Sequence, residues 1–174
     1  MLVAPIAHVA AIDREQLNRA LVDWGHKMGA WNRPAFGQEW FHGLYHNGQL
    51  VAVTGAARLI SERVSTSISP LLRTSAFELG RLCASRPHLC RATLRLWREL
   101  IAPGIADEHG FRWVVSYQDA VLHRGDVYRF DGWVELGRSS SGTDARSGRT
   151  GRRKVIWGWA FDPALRAPFR KAAP

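Results

Sequence analysis

"SAFELGRLCASRPHLCRATLRLWRELIAPGIADEHGFRWVVSY", residues Ser75 to Tyr117, decides the fold. Its opening alternates: Phe77, Leu79, Arg81 and Cys83 fall on one face, which is the period of a strand. Beyond Pro87 the period lengthens. Cys90, Leu94, Trp97 and Ile101 share a helical face, with Pro87 near the helix start and Pro103-Gly104 expected to end it. "FRWVVSY" is then a short unbroken apolar run, the kind buried on both faces of a parallel sheet. Strand, helix and strand in this order form a crossover unit, and right-handed crossovers make the two strands parallel. Their carboxyl ends open on one edge, where open α/β sheets take their ligands. Arg81 and Asp119 belong to that edge.

The flanks add to both sides of this unit. "DREQLNRALVDWGHKMG" (Asp13 to Gly29) carries Leu17, Leu21, Trp24 and Met28 at helical spacing, with Asp13 as N-cap, Gln16 three residues on and Gly29 as the stop. Asn47-Gly48 between two apolar segments predicts a hairpin of strands near Trp40–His46 and Gln49–Leu59. "SERVSTSISPLLRT" is a connection holding a short strand or turn. "GWVELGRSS" and "KVIWGWAF" predict a final antiparallel pair. The sequence thus predicts one α/β domain over residues 1–174, a mixed β-sheet with splayed central parallel strands flanked by helices. A flexible basic loop is expected over 138–154 and a frayed tail over 162–174.

Composition narrows the function classes. Hydrophobic residues make up 46% and charged residues 22%, enough for a real core in 174 residues. No apolar stretch approaches the roughly 18 residues a membrane span needs. The opening "MLVAPIAHVAAIDRE" lacks a basic n-region, so no signal peptide is expected and a cytoplasmic setting follows. Cys83 and Cys90 are the only cysteines, which argues against a zinc or disulfide framework. The net charge is +9, supplied by 21 Arg and only 3 Lys. Guanidinium forks match phosphate oxygens in pairs, which points to an anionic partner, nucleic acid first. Codon bias in a GC-rich genome is the competing explanation. The segment Arg138–Lys154 concentrates this charge: Arg138, Arg146, Arg149, Arg152, Arg153 and Lys154 stand against Asp144 alone. It reads as a phosphate-binding arm or as a solvated loop.

"SYQDAVLHRGDVYRFDGW" (Ser116 to Trp133) follows the second strand, placing Asp119, His123, Gly125 and Tyr128 at the sheet's open edge. Together with "ELGRLCAS" (Glu78 to Ser85), this stretch resembles the GNAT acyltransferase fold and, within it, the bacteriophage Mom family of DNA adenine-modification proteins. The resemblance spans roughly residues 40 to 160. It implies conversion of adenine in duplex DNA to an N6-carbamoylmethyl form in the bacterial host cell, protecting phage DNA from restriction. It also implies an acetyl-CoA-like donor and admits iron. The family's functional positions fall on Arg81, Asp119 and Tyr128, with Tyr45 or His46 as a further position. Around the helix start, Ser85, Arg86, Arg91 and Thr93 are the residues placed to hold a cofactor. The sequence departs from the general pattern there: "ASRPHLCRAT" has no glycine, where the fold usually supplies a glycine-rich pyrophosphate cradle.

Each of these residues also has a structural reading. Asp119 is a turn former or a carboxylate able to take a proton or hold a metal. Arg81 is an ion-pair partner or a holder of phosphate or donor, and in the sheet interior it needs an anionic partner. Tyr128 is packing or proton donor; His123 is a cap or a catalytic group. Of the eight Trp, Trp31 and Trp40 sit in or beside the loop before the hairpin, as core or as stacking partners for an extruded base. Two other functions stay open: a GNAT N-acetyltransferase acting on another amine, and a non-enzymatic DNA-binding phage accessory protein. The protein is expected as monomer or homodimer, with double-stranded DNA as its partner.

Overall fold

The structure, a computed structural model, describes residues 6–33, 37–139 and 154–171. The main sheet is built from β1 (Ala7–Ala11), β2 (Glu39–His46), β3 (Gln49–Arg58), β6 (Ala76–Ala84), β7 (Trp113–Asp119), β9 (Lys154–Ala160) and β8 (Val134–Ser139), hydrogen-bonded in that order. β4 (Arg63–Val64) and β5 (Leu71–Leu72) form a separate two-residue ladder. The helices are α1 (Arg14–Asp23), α2 (Leu89–Leu100), α3 (Ala102–His109), α4 (Asp126–Arg129) and α5 (Ala167–Lys171). The chain divides into two compact units, one running to Arg58 and including Leu79–Gly104, the other taking Leu59–Glu78 and the residues from Ile105 onward.

In the first unit, Asp13 closes a capping box: its Oδ1 accepts the Gln16 N–H at 2.7 Å, and Gln16 Oε1 accepts the Asp13 N–H at 3.0 Å. α1 stops at Asp23, more than a turn before the expected end, because Gly25 already supplies a left-handed residue behind the helix, at φ 64°. Leu17 and Leu21 are buried with Trp31, Val53 and Cys83. The hairpin is as the Asn47-Gly48 pair predicts, with φ of 48° and 75° at its two turn residues. β1 adds antiparallel to β2, pairing Ala7 with His46 and Ala11 with His42. This strand was not expected. α2 buries Leu94 and Trp97, each fully buried side chain contributing roughly 1.5–3 kcal/mol.

In the second unit β6 and β7 run parallel, as the crossover predicts, pairing Ala76 with Trp113, Phe77 with Val114 and Glu78 with Val115. β7 is buried along its length except at Tyr117. On its other side it pairs antiparallel with β9 from Trp113↔Ala160 to Asp119↔Lys154, and β9 pairs antiparallel with β8. Trp113, Val115, Leu136 and Ile156 form one buried cluster with Phe169.

Three expectations are corrected here. Pro103 and Gly104 do not simply close a helix. They lie in the first turn of α3, where a proline's missing N–H costs nothing. The tail is not frayed over Asp162–Lys171: Asp162 caps a 3-10 turn, Pro163–Arg166, and Phe169 is buried against Trp113. The basic loop does not begin at Arg138 or end at Lys154, since both belong to strands; Arg146, Arg149, Arg152 and Arg153 lie outside the described residues.

Candidate active site

β7 is apolar until it nears its carboxyl end, where it becomes polar while remaining buried: Ser116 is 3%, Gln118 6% and Asp119 6% exposed. Buried polar groups need partners, and these have them. The Tyr128 hydroxyl on α4 lies 2.8 Å from Ser116 Oγ. The Tyr128 ring is stacked on Trp157 at 5.8 Å between centroids and meets Trp133 edge-on at 5.4 Å. Gln118 Oε1 accepts the Trp157 indole N–H at 2.6 Å, while its amide N–H donates to the His123 carbonyl at 2.5 Å. The phenol is held by a hydrogen bond and two aromatic faces.

Gly125 makes this possible. It has φ 77°, and a Cβ there would fall 2.3 Å from Gln118 Oε1 and 3.0 Å from Trp157. Only glycine meets both demands. From this residue α4 begins, with the Tyr128 and Arg129 N–H groups both donating to the Gly125 carbonyl at 3.1 Å.

Asp119 has a different setting. Its Oδ1 accepts the N–H of Val121 at 3.0 Å and of Leu122 at 3.3 Å, and its carbonyl accepts the N–H of His123 at 3.0 Å. The carboxylate therefore shapes the turn after β7. Alternation along β7 directs Ser116 and Gln118 to one face and Asp119 to the other, and Tyr128 is on the Ser116 face. His123 is exposed and holds the turn through its backbone.

Arg81 lies in the first unit. Its Nη1 donates to the Gly80 carbonyl at 2.8 Å and its Nε to the Gly29 carbonyl at 3.4 Å, with the guanidinium 5.7 Å from the Trp31 ring centroid. Carbonyl oxygens and an indole face thus accept part of the charge for which the sequence required an anion. Trp31 is 3% exposed and donates its indole N–H to Glu39 at 2.9 Å; Arg14 bridges the same carboxylate. It is placed as a core residue. Trp40 is half-buried in β2. Tyr45 stacks on His8 at 5.0 Å, and His46 is exposed at the hairpin. Arg138 is exposed and pairs with Glu135 at 2.9 Å, which raises its pKa; Lys154 stands opposite Asp119 in register.

The segment between β6 and α2 turns several of its donors onto carbonyls of the chain itself. Both the N–H and the hydroxyl of Ser85 donate to the Val51 carbonyl, at 2.9 and 3.1 Å. Pro87 has no N–H. Leu89 and Cys90 turn theirs onto the carbonyls of Arg86 and Pro87, at 3.0 and 3.2 Å. Thr93 is buried, its hydroxyl donating back to Leu89 at 2.8 Å, and Arg86 and Arg91 are exposed. Among the described residues no group of three or more His, Cys, Asp or Glu stands together as a metal site requires.

No protein-family model and no curated protein sequence matches the chain. Solved structures do. The aminoglycoside 6'-N-acetyltransferase from Enterococcus faecium superposes with a TM-score of 0.60 at 11% identity, over 90% of this chain and 98% of that one. A probable acetyltransferase of the GNAT family from Chromobacterium violaceum gives 0.55 at 14%, over 91% and 89%. A Bacillus subtilis acetyltransferase solved in complex with CoA gives 0.54 at 9%, over 90% and 98%. The fold is therefore the GNAT fold, a mixed seven-stranded sheet with a central parallel pair. The CoA of that Bacillus subtilis structure carries a pyrophosphate, a group that asks for a run of unspent backbone N–H groups at a helix start. In the segment Ser85–Cys90 the N–H groups of Ser85, Leu89 and Cys90 are bonded to carbonyls and Pro87 has none, so at most those of Arg86 and His88 could serve such a group, and an unbroken run of donors does not fit there.

Proposed function

We propose that the chain is a transferase of the GNAT fold that modifies the exocyclic amine of adenine in duplex DNA, giving an N6-carbamoylmethyl-type product. Tyr128 carries this reading. A phenol fixed by Ser116, Trp133 and Trp157 at the carboxyl end of a central strand is a preorganised proton donor, in the region where ligands bind open α/β sheets. The arginine excess supplies the affinity for a polyanion. The combination of motifs in Glu78–Ser85 and Ser116–Trp133, which resembles the Mom family, supports adenine as the acceptor.

In the proposed step the N6 lone pair forms an N–C bond to an electrophilic carbon of the donor, and the bond from that carbon to its leaving group breaks. One proton leaves N6 and one is taken up by the leaving group. In this reading Tyr128, held through its hydroxyl by Ser116, supplies the second of these protons. Asp119 holds the turn that carries the site.

The experiment is nucleoside analysis by mass spectrometry of DNA from cells expressing the protein. A deoxyadenosine derivative heavier than the parent is expected. Unmodified deoxyadenosine beside soluble, folded protein refutes the reading. The structural neighbours favour a second reading, acetyl transfer to another amine, as their names state for them. Turnover of acetyl-CoA on small amines without DNA would establish it.

A further inference from the structure

From Leu79 to Arg98 the chain carries five arginines and His88 but no Asp or Glu; Glu78 and Glu99 bound the stretch. Two of the five are committed within the fold. Arg81 donates to the Gly80 and Gly29 carbonyls, and buried Arg98 is bonded to Glu99 at 2.7 Å. Arg86, Arg91 and Arg95 are exposed, the first in the turn before α2 and the other two on the helix. α2 buries Thr93, Leu94, Trp97 and Arg98, so Arg91 and Arg95 share its outward side, one turn apart.

This placement works against the helix. Like charges at i and i+4 repel. Arg91 stands in the first turn, at the positive end of the helix dipole, where no acidic residue offsets it. An arginine-rich composition accounts for the number of guanidinium groups but not for a run without carboxylates: Arg14, Arg19 and Arg73 each meet one.

The chemistry of the surface selects its anion. A protein partner asks for aromatic or large apolar anchors, and the Leu94 and Trp97 side chains of this stretch face inward. A pyrophosphate asks for a run of backbone donors, which Ser85–Cys90 does not offer. Successive phosphates of a nucleic-acid strand ask only for a row of guanidinium forks. A rise of 1.5 Å per residue sets Arg91 and Arg95 about 6 Å apart along the axis, within reach of neighbouring phosphates.

We propose that the outward side of α2, with Arg86, Arg91 and Arg95, is a docking surface for the phosphate backbone of duplex DNA. The proposal rests on the reading of DNA as substrate. It gives that reading a surface of contact, and it assigns to the polyanion two residues, Arg86 and Arg91, that the sequence alone placed beside a cofactor.

The test is a salt series of duplex binding by the full chain, followed by fluorescence anisotropy. Arg91→Gln/Arg95→Gln is expected to flatten the slope of log affinity against log salt by about 2. Arg91→Lys/Arg95→Lys, which keeps the charge, is expected to retain the wild-type slope. Arg19→Gln/Arg73→Gln removes the same charge from guanidinium groups already paired with carboxylates and is expected to leave the slope nearly unchanged. Equal flattening by the two Gln pairs, flattening by neither, or flattening by the Lys pair overturns the surface and leaves the DNA reading standing. Poly-glutamate that displaces the duplex as well, charge for charge, as unlabelled duplex does also overturns it, in favour of an acidic protein. Flattening confined to the α2 pair, with no modified deoxyadenosine in cells, upholds the surface and overturns the proposed enzyme. A wild-type chain that ignores duplex DNA at low salt overturns both.

Discussion

The hydroxyl of Tyr128 lies 2.8 Å from Oγ of Ser116, although one side chain comes from a helix and the other from a buried strand. The bond fixes the position of the phenol oxygen, and the flanking indoles fix the ring plane. Tyr128→Phe retains the ring contacts and loses only the oxygen. We expect a stability loss of about 0.5–1.5 kcal/mol by denaturant titration. Modified deoxyadenosine should fall roughly a hundredfold or more, the range of acid–base contributions. Ser116→Ala should lower modification less, because the proton donor remains. If Tyr128→Phe modifies DNA at the wild-type level, the phenol is only a packing group.

Gly125 and Gly48 share nearly the same backbone conformation, with φ of 77° and 75°, but not the same surroundings. A Cβ at Gly48 meets nothing within 4 Å, whereas one at Gly125 strikes Gln118 and Trp157. Gly48→Ala therefore isolates the left-handed strain, about 1–2 kcal/mol. Gly125→Ala adds overpacking of about 1–3 kcal/mol. Thermal or urea unfolding should show Gly125→Ala to be the more damaging by that second amount. It should also loosen the Ala120–Arg124 turn. Equal losses would mean that Gln118 moves aside freely.

The crossover unit, the Asn47-Gly48 hairpin and the final antiparallel pair were legible because each rests on periodicity or on a turn dipeptide, both local signals. β1 was not legible: "AHVAA" has too little alternation, and its half-exposed residues make a strand only because β2 offers an edge. α3 was hidden by Pro103-Gly104, which is a stop signal in one register and an acceptable first turn in the next. The site was half legible. The spacing of Asp119, Gly125 and Tyr128 marked the segment, but their separate roles depend on which face of β7 each meets. Trp157 stands opposite Ser116 in the sheet, a neighbour that only strand register reveals. Buried serine and glutamine in an apolar strand were the signal that could have found the network.

The two cysteines make a clean chemical prediction. Burial, with a smaller push from nearby Cys90, raises the Cys83 thiol to about 11; burial raises Cys90 as well. Thiolate is the reactive form, so at pH 8 both should react with a thiol reagent far more slowly than in denaturant. Denaturation should release the full count of two rapidly titrating thiols. Fast native-state labelling of Cys83 would show that β6 opens at its carboxyl end.

His42 supplies a pH dependence whose sign can be worked out. Its ring is partly buried in β2, Nδ1 has no hydrogen-bond partner, and burial lowers its pKa from the ordinary 6.5. The unfolded chain binds a proton at this site more readily than the folded one does, so stability rises with pH across the interval between the two values. The contribution is complete above about 6.5 and is lost as pH falls through the lower, folded value. His42→Leu removes that titration and fills the site with an apolar group. The difference in unfolding free energy between variant and wild type should therefore shift in favour of the variant as pH falls from 7.5 to 5. A difference that stays flat over that range would mean that water reaches Nδ1, and that the β1–β2 edge breathes enough to hydrate it.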